Sequence, residues 1–154
     1  PERTITRLAL SYLDSEFRPL ADNPSCETAT NIMPLNSIRR GTSSFNLKSK
    51  PTFSGGYISI VRTNPGEPGL LYLKAFEVTT NIPLSEGILR HRTEELAGWS
   101  SDPEESFYAS SDFTIAEGDS DHPYAARFEV WFEPFTGTPE RKLLDRVYRI
   151  SGFP

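Results

Sequence analysis

Residues Tyr124–Pro134 read YAARFEVWFEP, and they carry the clearest secondary-structure pattern in the chain. Ala126, Phe128, Val130 and Phe132 alternate with residues of mixed or polar character. Successive side chains of a β-strand point to opposite sides of the sheet. An apolar period of two that is sustained over this length therefore predicts a strand with one face buried.

Six further segments have a strand-like pattern, which gives seven candidate strands in all. The six are Thr4–Leu10, Ser44–Lys50, Tyr57–Arg62, Leu70–Val78, Phe107–Ala116 and Leu143–Ile150. The lysines of Ser44–Lys50 suit the exposed edge of a sheet. Residues 63–69 are rich in proline and glycine, and they predict a hairpin between Tyr57–Arg62 and Leu70–Val78.

One helix is expected at Ser85–Ala97, with Ser85 as its N-cap and with Ile88, Leu89, Arg92, Leu96 and Trp99 roughly on one side. Residues 11–43 contain several prolines and no sustained period. They predict a long irregular excursion, which either contains a short element without a sequence signal or lies against a neighbour.

These elements predict one all-β domain over residues 1–154, an antiparallel β-sandwich or jelly roll with at most one short helix. A partly open barrel is the alternative. The sequence has no regular alternation of strands and helices, so a doubly wound α/β fold is not expected.

The composition excludes a disordered chain and a membrane-embedded one. Of the 154 residues, 36% are hydrophobic and 24% are charged. No apolar run approaches the roughly 18 residues of a membrane span. Cys26 is the only cysteine, and proline disqualifies the single near-match to a glycosylation sequon, Asn23-Pro24-Ser25. We therefore expect maturation in a reducing compartment rather than secretion, and the surface of a virus particle is compatible with this.

The net charge of −5 is unevenly distributed. Residues 1–77 carry nine Lys/Arg and seven Asp/Glu (+2), whereas residues 78–154 carry seven and fourteen (−7). Glu94–Asp121 contains nine acidic residues and no Lys or Arg, and such a stretch repels phosphate. Neither a P-loop nor a G-x-G-x-x-G motif occurs. Nucleotide or nucleic-acid binding is therefore not expected.

No catalytic residue can be assigned from the sequence. The chain has two histidines and no G-x-S-x-G motif. Glu129 and Glu133 lie four residues apart on one strand, which separates them by about 13 Å. This exceeds the roughly 5 to 9.5 Å between the carboxylates of glycosidases, although pairs from different strands remain open.

The loop Glu117-Gly-Asp119-Ser-Asp121 places three carboxylates at alternate positions. Oxygen ligands of this kind can hold Ca²⁺, the only cofactor that the sequence suggests. The spacing does not match an EF-hand, and the pattern favours an ordinary solvated turn between two strands over a calcium site.

Aromatic residues are the main candidates for ligand or interface contacts. Trp131 is predicted on the polar face of its strand beside Arg127, where the core does not need a large ring. Trp99 lies in a Gly-Trp-Ser turn, and Tyr108 is predicted on the polar face of its strand. Each of the three also has a purely structural explanation.

Three functions are compatible with this pattern. The first is a non-enzymatic structural or assembly protein that forms homo-oligomers, such as a coat or surface-projecting domain of a virus particle. The second is a lectin-like module that binds a glycan through Trp131 or Trp99. The third is a jelly-roll enzyme with carboxylate chemistry or calcium.

Overall fold

The computed structural model of the protein describes residues 27–28, 43–50, 55–119 and 121–152. These ranges contain eight strands and one helix. In chain order they are β1 (Glu27–Thr28), β2 (Ser44–Ser49), β3 (Gly56–Thr63), β4 (Gly69–Glu77), α1 (Ile88–Thr93), β5 (Glu95–Leu96), β6 (Phe107–Thr114), β7 (Tyr124–Pro134) and β8 (Arg141–Ile150).

The strands form two sheets. One has the order β1-β8-β7-β4-β5 and the other has the order β2-β3-β6. Neighbouring strands are antiparallel except β1 and β8, which are parallel. The predicted all-β class with at most one short helix is thus confirmed, and β2 lies at a sheet edge as its lysines indicated. The assignment to a sandwich or jelly roll stays a prediction.

Strand β7 has the bounds that its alternating pattern predicted. Its inward side chains, Ala126, Phe128, Val130 and Phe132, are completely buried. Strand β7 pairs with β4 on one side and with β8 on the other, so it lies in the interior of the larger sheet. The same four residues therefore fix which face of the whole sheet is apolar.

Aromatic rings join the two sheets. The ring of Phe128 lies 5.7 Å from that of Phe45 on β2 and 6.1 Å from that of Phe113 on β6, measured between centroids. Tyr148 on β8 adds an edge-on contact with Phe45 at 5.8 Å, and its hydroxyl donates to the Phe45 carbonyl. Both sheets thus bury their apolar faces in one shared core.

The predicted hairpin across residues 63–69 is wrong. Strand β3 pairs with β2 and β6, whereas β4 pairs with β5 and β7, so residues 63–69 pass from one sheet to the other. The Asn64 side chain ties this connection to a different loop. Its Nδ2 donates to the carbonyls of Ser100 and Asp102, and its Oδ1 accepts from the Ser100 amide at 3.0 Å.

The helix is shorter than the predicted Ser85–Ala97. It begins at Ile88, because Gly87 has a φ of 80° that a continuing helix does not allow. Ser85 is not its N-cap, since the Ser85 hydroxyl accepts from the Ala116 amide instead. At the other end the chain becomes extended at Glu94 and then forms β5.

The buried face of this segment also differs from the expectation. Leu89 and Thr93 are buried, whereas Ile88 and Leu96 are exposed. The hydroxyl of Thr93 accepts from the amide of Leu73 on β4 and donates to the carbonyl of Leu89. The last turn of the helix is therefore fastened to the edge of the larger sheet.

The excursion at residues 11–43 contains strand β1, a short element that had no sequence signal. Strand β1 pairs with the carboxyl-terminal half of β8, where Glu27 lies opposite Tyr148. The candidate strand Thr4–Leu10 lies outside the described residues. Among the residues that are described, no helix is long and apolar enough to cross a membrane.

Replacing Phe128 with alanine should lower the free energy of unfolding by about 3–5 kcal/mol, because the change opens a cavity between the sheets. Chemical denaturation measures this loss. Tyr108→Ala, which removes an exposed ring, is the matched control and should stay within roughly 0.5 kcal/mol of the wild type. Equal losses in the two variants would contradict the shared core.

Candidate interaction surface

Trp131 lies on the outward face of the larger sheet, opposite to Phe128, as its position in the alternation predicted. It is half-buried, since neighbouring side chains cover much of it. Its indole Nε1 donates to Glu129 Oε1 at 2.8 Å, and Lys74 Nζ lies 3.9 Å from its ring centroid. One face of the ring is thus already occupied by a cation.

Arg127 and Trp131 are brought together by the carboxylate of Glu129. Arg127 Nε donates to Glu129 Oε2 at 2.8 Å, while Trp131 donates to the other oxygen. The guanidinium of Arg127 also donates to Asn81 Oδ1 and lies 5.0 Å from the ring centroid of Phe76. A buried carboxylate such as Glu129 requires partners of this kind, so these contacts serve to keep the outward face in place.

A second group on this face is organised around Tyr72. The guanidinium of Arg90 lies 3.8 Å from the Tyr72 ring centroid, and the Tyr72 hydroxyl donates to Glu140. Lys74 Nζ donates to the other oxygen of Glu140 at 3.0 Å. Burial alone would lower the pKa of Arg90, but hydrogen bonds to Glu133 and Glu94 raise it above its ordinary value. The charges on this face are therefore paired locally.

Large apolar side chains are exposed at one end of the larger sheet. They are Leu96 (71% exposed), Phe135 (58%) and Trp99 (45%). The Ala97 amide donates to the Gly69 carbonyl and the Phe135 amide donates to the Pro68 carbonyl. The backbones that carry Leu96 and Phe135 thus lie on either side of the start of β4, about 10 Å apart by strand spacing. We call Leu96, Trp99 and Phe135 the apolar end.

The loop that carries Trp99 is fixed at both sides of this residue. The Ser100 amide and carbonyl both bond to the side chain of Asn64. Gly98 packs so closely on Phe107 that a Cβ at position 98 would lie 2.7 Å from Phe107 Cγ. Trp99 is therefore a partly exposed ring on a well-anchored loop, which suits a contact residue.

Tyr108 forms no common site with Trp131. It lies on the outward face of β6, is 62% exposed and has the guanidinium of Arg62 at 5.8 Å from its ring centroid. Since the core separates the outward faces of the two sheets, these two aromatic residues cannot contact one ligand together. The two residues shared a prediction only because each was expected on the polar face of its own strand.

The acidic loop is stabilised by protein partners. The Glu117 carboxylate accepts from the amide and the hydroxyl of Ser85. Asp119 Oδ1 accepts from the amides of Asp121 and His122, and it lies 2.8 Å from His122 Nδ1. Within the described ranges no three metal-ligating side chains converge, and the calcium site at Glu117, Asp119 and Asp121 stays a prediction.

Two members of the apolar end were not predicted as contact residues. Leu96 was assigned to a helix face, and Phe135 received no role. Phe135 carried a usable signal, because it directly precedes Thr136-Gly137-Thr138, a typical turn between strands.

Comparison with known proteins finds no matching family model, no similar curated protein and no similar solved structure. The function must therefore be inferred from the geometry of the molecule.

The hydrogen bond from His122, supported by the amides of Asp121 and His122, holds the pKa of the Asp119 carboxyl below its usual value. The stability that this contact contributes is present at a pH above the pKa of Asp119 in the unfolded chain. It is lost as the pH falls through the lower pKa that Asp119 has in the folded protein. In a carbon-13 NMR pH titration, His122→Ala should shift the Asp119 pKa upward. His91→Ala is the control, and an unchanged Asp119 pKa in the His122 variant would refute the contact.

Proposed function

We propose that this protein is a non-enzymatic structural or assembly protein that associates with further copies of itself through the apolar end. The observation that carries the proposal is the pair Leu96 and Phe135, two large and exposed apolar side chains on either side of the start of β4. The exposed ring of Trp99 follows Leu96 by three residues, on an anchored loop. Exposed apolar groups of this kind mark protein–protein contacts more often than isolated ones do.

Burial of these side chains supplies the driving force. Fully burying one large apolar side chain is worth about 1.5–3 kcal/mol. Tryptophan and other aromatic anchors also dominate the affinity of known interfaces. Strand β5, which forms this edge of the sheet, has only two residues. So short an edge gives little backbone for strand addition, which favours contact through side chains.

Paired charges form a polar rim beside the apolar end. Arg141 lies 3.1 Å from Glu67 and donates to the Pro65 carbonyl, next to the connection between β3 and β4. The pair Arg90 and Glu133 lies on the outward face of the larger sheet, where Glu133 is opposite Leu70. An apolar centre with a charged, solvent-accessible rim is the usual anatomy of an interface.

The assembly that we propose is a virus particle, of which this protein would form a coat or surface-projecting domain. Its support is the all-β architecture together with an apolar contact region, and the step to a virus particle is a fold-level analogy. Self-association itself is argued from the side chains and does not depend on that analogy.

A glycan-binding module is the second candidate, and Trp99 is the residue that favours it. Its partly exposed ring lies on the loop that also carries Ser100 and Asp102, whose hydroxyl and carboxylate suit sugar hydroxyls. Trp131 is less suited, because Lys74 occupies one face of its ring. A saturable change of tryptophan fluorescence with a sugar, lost in Trp99→Ala, would support this candidate.

The double variant Leu96→Glu/Phe135→Glu should abolish self-association, because it places like charges where two copies would meet. Light scattering after size exclusion, over a hundredfold concentration range, should show a mass that rises for the wild type and stays monomeric for the variant. Each single change should weaken association at least about tenfold, which is 1.4 kcal/mol.

Tyr108→Glu is the matched control, since it charges an equally exposed aromatic position on the other sheet. It should associate like the wild type. A wild-type protein that is monomeric at every concentration would overturn the proposal, as would a double variant that associates normally.

A further inference from the structure

A cleft of about 360 Å³ lies between β4 and the segment that leads into α1. Leu73, Lys74 and Ala75 of β4 border one side, and Phe76 and Pro83 lie near one end. Glu86 and Arg90, from the segment 83–90, border the opposite side. The cleft does not include the apolar end and is unrelated to the proposed self-association.

The edge of β4 at this cleft is paired at both ends. The Leu73 amide donates to Thr93 Oγ1 at 2.9 Å, and the Ala75 carbonyl accepts from the Leu84 amide at 2.8 Å. Beyond these, Glu77 pairs with Ile82 and Leu71 lies opposite Glu95. Chain segment 82–96 thus covers this edge except between Leu84 and Thr93, where it bends away to form α1.

Two backbone groups face the gap. Successive residues of a strand direct their amide and carbonyl to opposite edges. The Val78 amide donates to the Ala125 carbonyl. The backbone amides and carbonyls of even-numbered residues in this stretch therefore point toward β7, and those of odd-numbered residues point toward the cleft. The Leu73 carbonyl and the Ala75 amide therefore point toward the cleft, and neither forms a hydrogen bond with the part of the chain that the structure describes.

This pair has the arrangement that one residue of a parallel strand requires. In a parallel ladder, each residue forms two hydrogen bonds with the neighbouring strand. Its amide donates to the carbonyl of the residue that precedes the facing one, and its carbonyl accepts from the amide of the residue that follows the facing one. Here the facing residue is Lys74, and the two groups are the Leu73 carbonyl and the Ala75 amide. Each group left without a partner in a protected site costs free energy, so a ligand that satisfies both gains affinity.

We propose that the cleft binds an extended peptide segment, one residue of which forms a parallel bridge opposite Lys74. The side chain of that residue is apolar, because Tyr72, Phe76, Pro83 and Leu84 form much of the lining of the cleft. The ring of Tyr72, covered by Arg90, forms part of the lining on the outward side. Recognition thus comes from the backbone pair, and the apolar walls select the side chain.

The test uses N-acetyl-leucine N′-methylamide, which contains one residue with a free amide and carbonyl. Amide NMR spectra of the full chain should show saturable shifts centred on Ala75, with a dissociation constant in the millimolar range for so small a probe. The N-methyl-leucine analogue cannot donate to the Leu73 carbonyl, and it should bind at least about fivefold more weakly.

Two variants of the same segment provide the controls. Glu86→Trp places a large ring at the cleft and should abolish the shifts, whereas Ile88→Trp, at an exposed position that does not line the cleft, should leave them unchanged. Without ligand, the Ala75 amide should exchange with solvent faster than the Leu73 amide. A slowly exchanging Ala75 amide, no shift at Ala75, or equal binding of the N-methyl analogue would each overturn the proposal.

Discussion

The ring of Phe128 packs against those of Phe45 and Phe113, and this contact joins the two sheets. Phe128 lies on an interior strand of the larger sheet, and its two partners lie on the two outer strands of the smaller one. A slip of β7 by one residue would place Arg127 or Glu129 where the ring now packs. The core therefore sets the register of β7, and with it the outward position of every alternate side chain.

Once that register is fixed, the outward face has to accommodate Glu129, a buried carboxylate between Arg127 and Trp131. The hydrogen bonds of both neighbours to it make this face an ordered polar surface. The free edge of β4 is covered by the segment that contains α1 and β5, apart from one gap. Exposed apolar side chains remain at the end of the sheet, and this distribution supports an interface there rather than on its polar face.

The sequence predicted most where burial is one-sided. Strand β7 was predicted to the residue, because its two faces differ in polarity. Strands β3 and β4 are more continuously apolar, so their pattern contained no information on their partners, and the predicted hairpin was wrong.

The helix was predicted too long, because the pattern does not show that Gly87 takes a positive φ or that Glu95 and Leu96 pair with β4. The partial cover of Trp131 depends on Lys74, which is on another strand. The cleft depends on where segment 82–96 stops pairing with β4. Neither feature has a local sequence signal.

Amide NMR spectra recorded at increasing protein concentration show whether copies of this chain meet through the apolar end. Resonances of Leu96, Trp99 and Phe135 should shift together and saturate, while those around Tyr108 on the other sheet should stay constant. Spectra that do not change with concentration would rule out association through the apolar end, and so would shifts centred on any other surface.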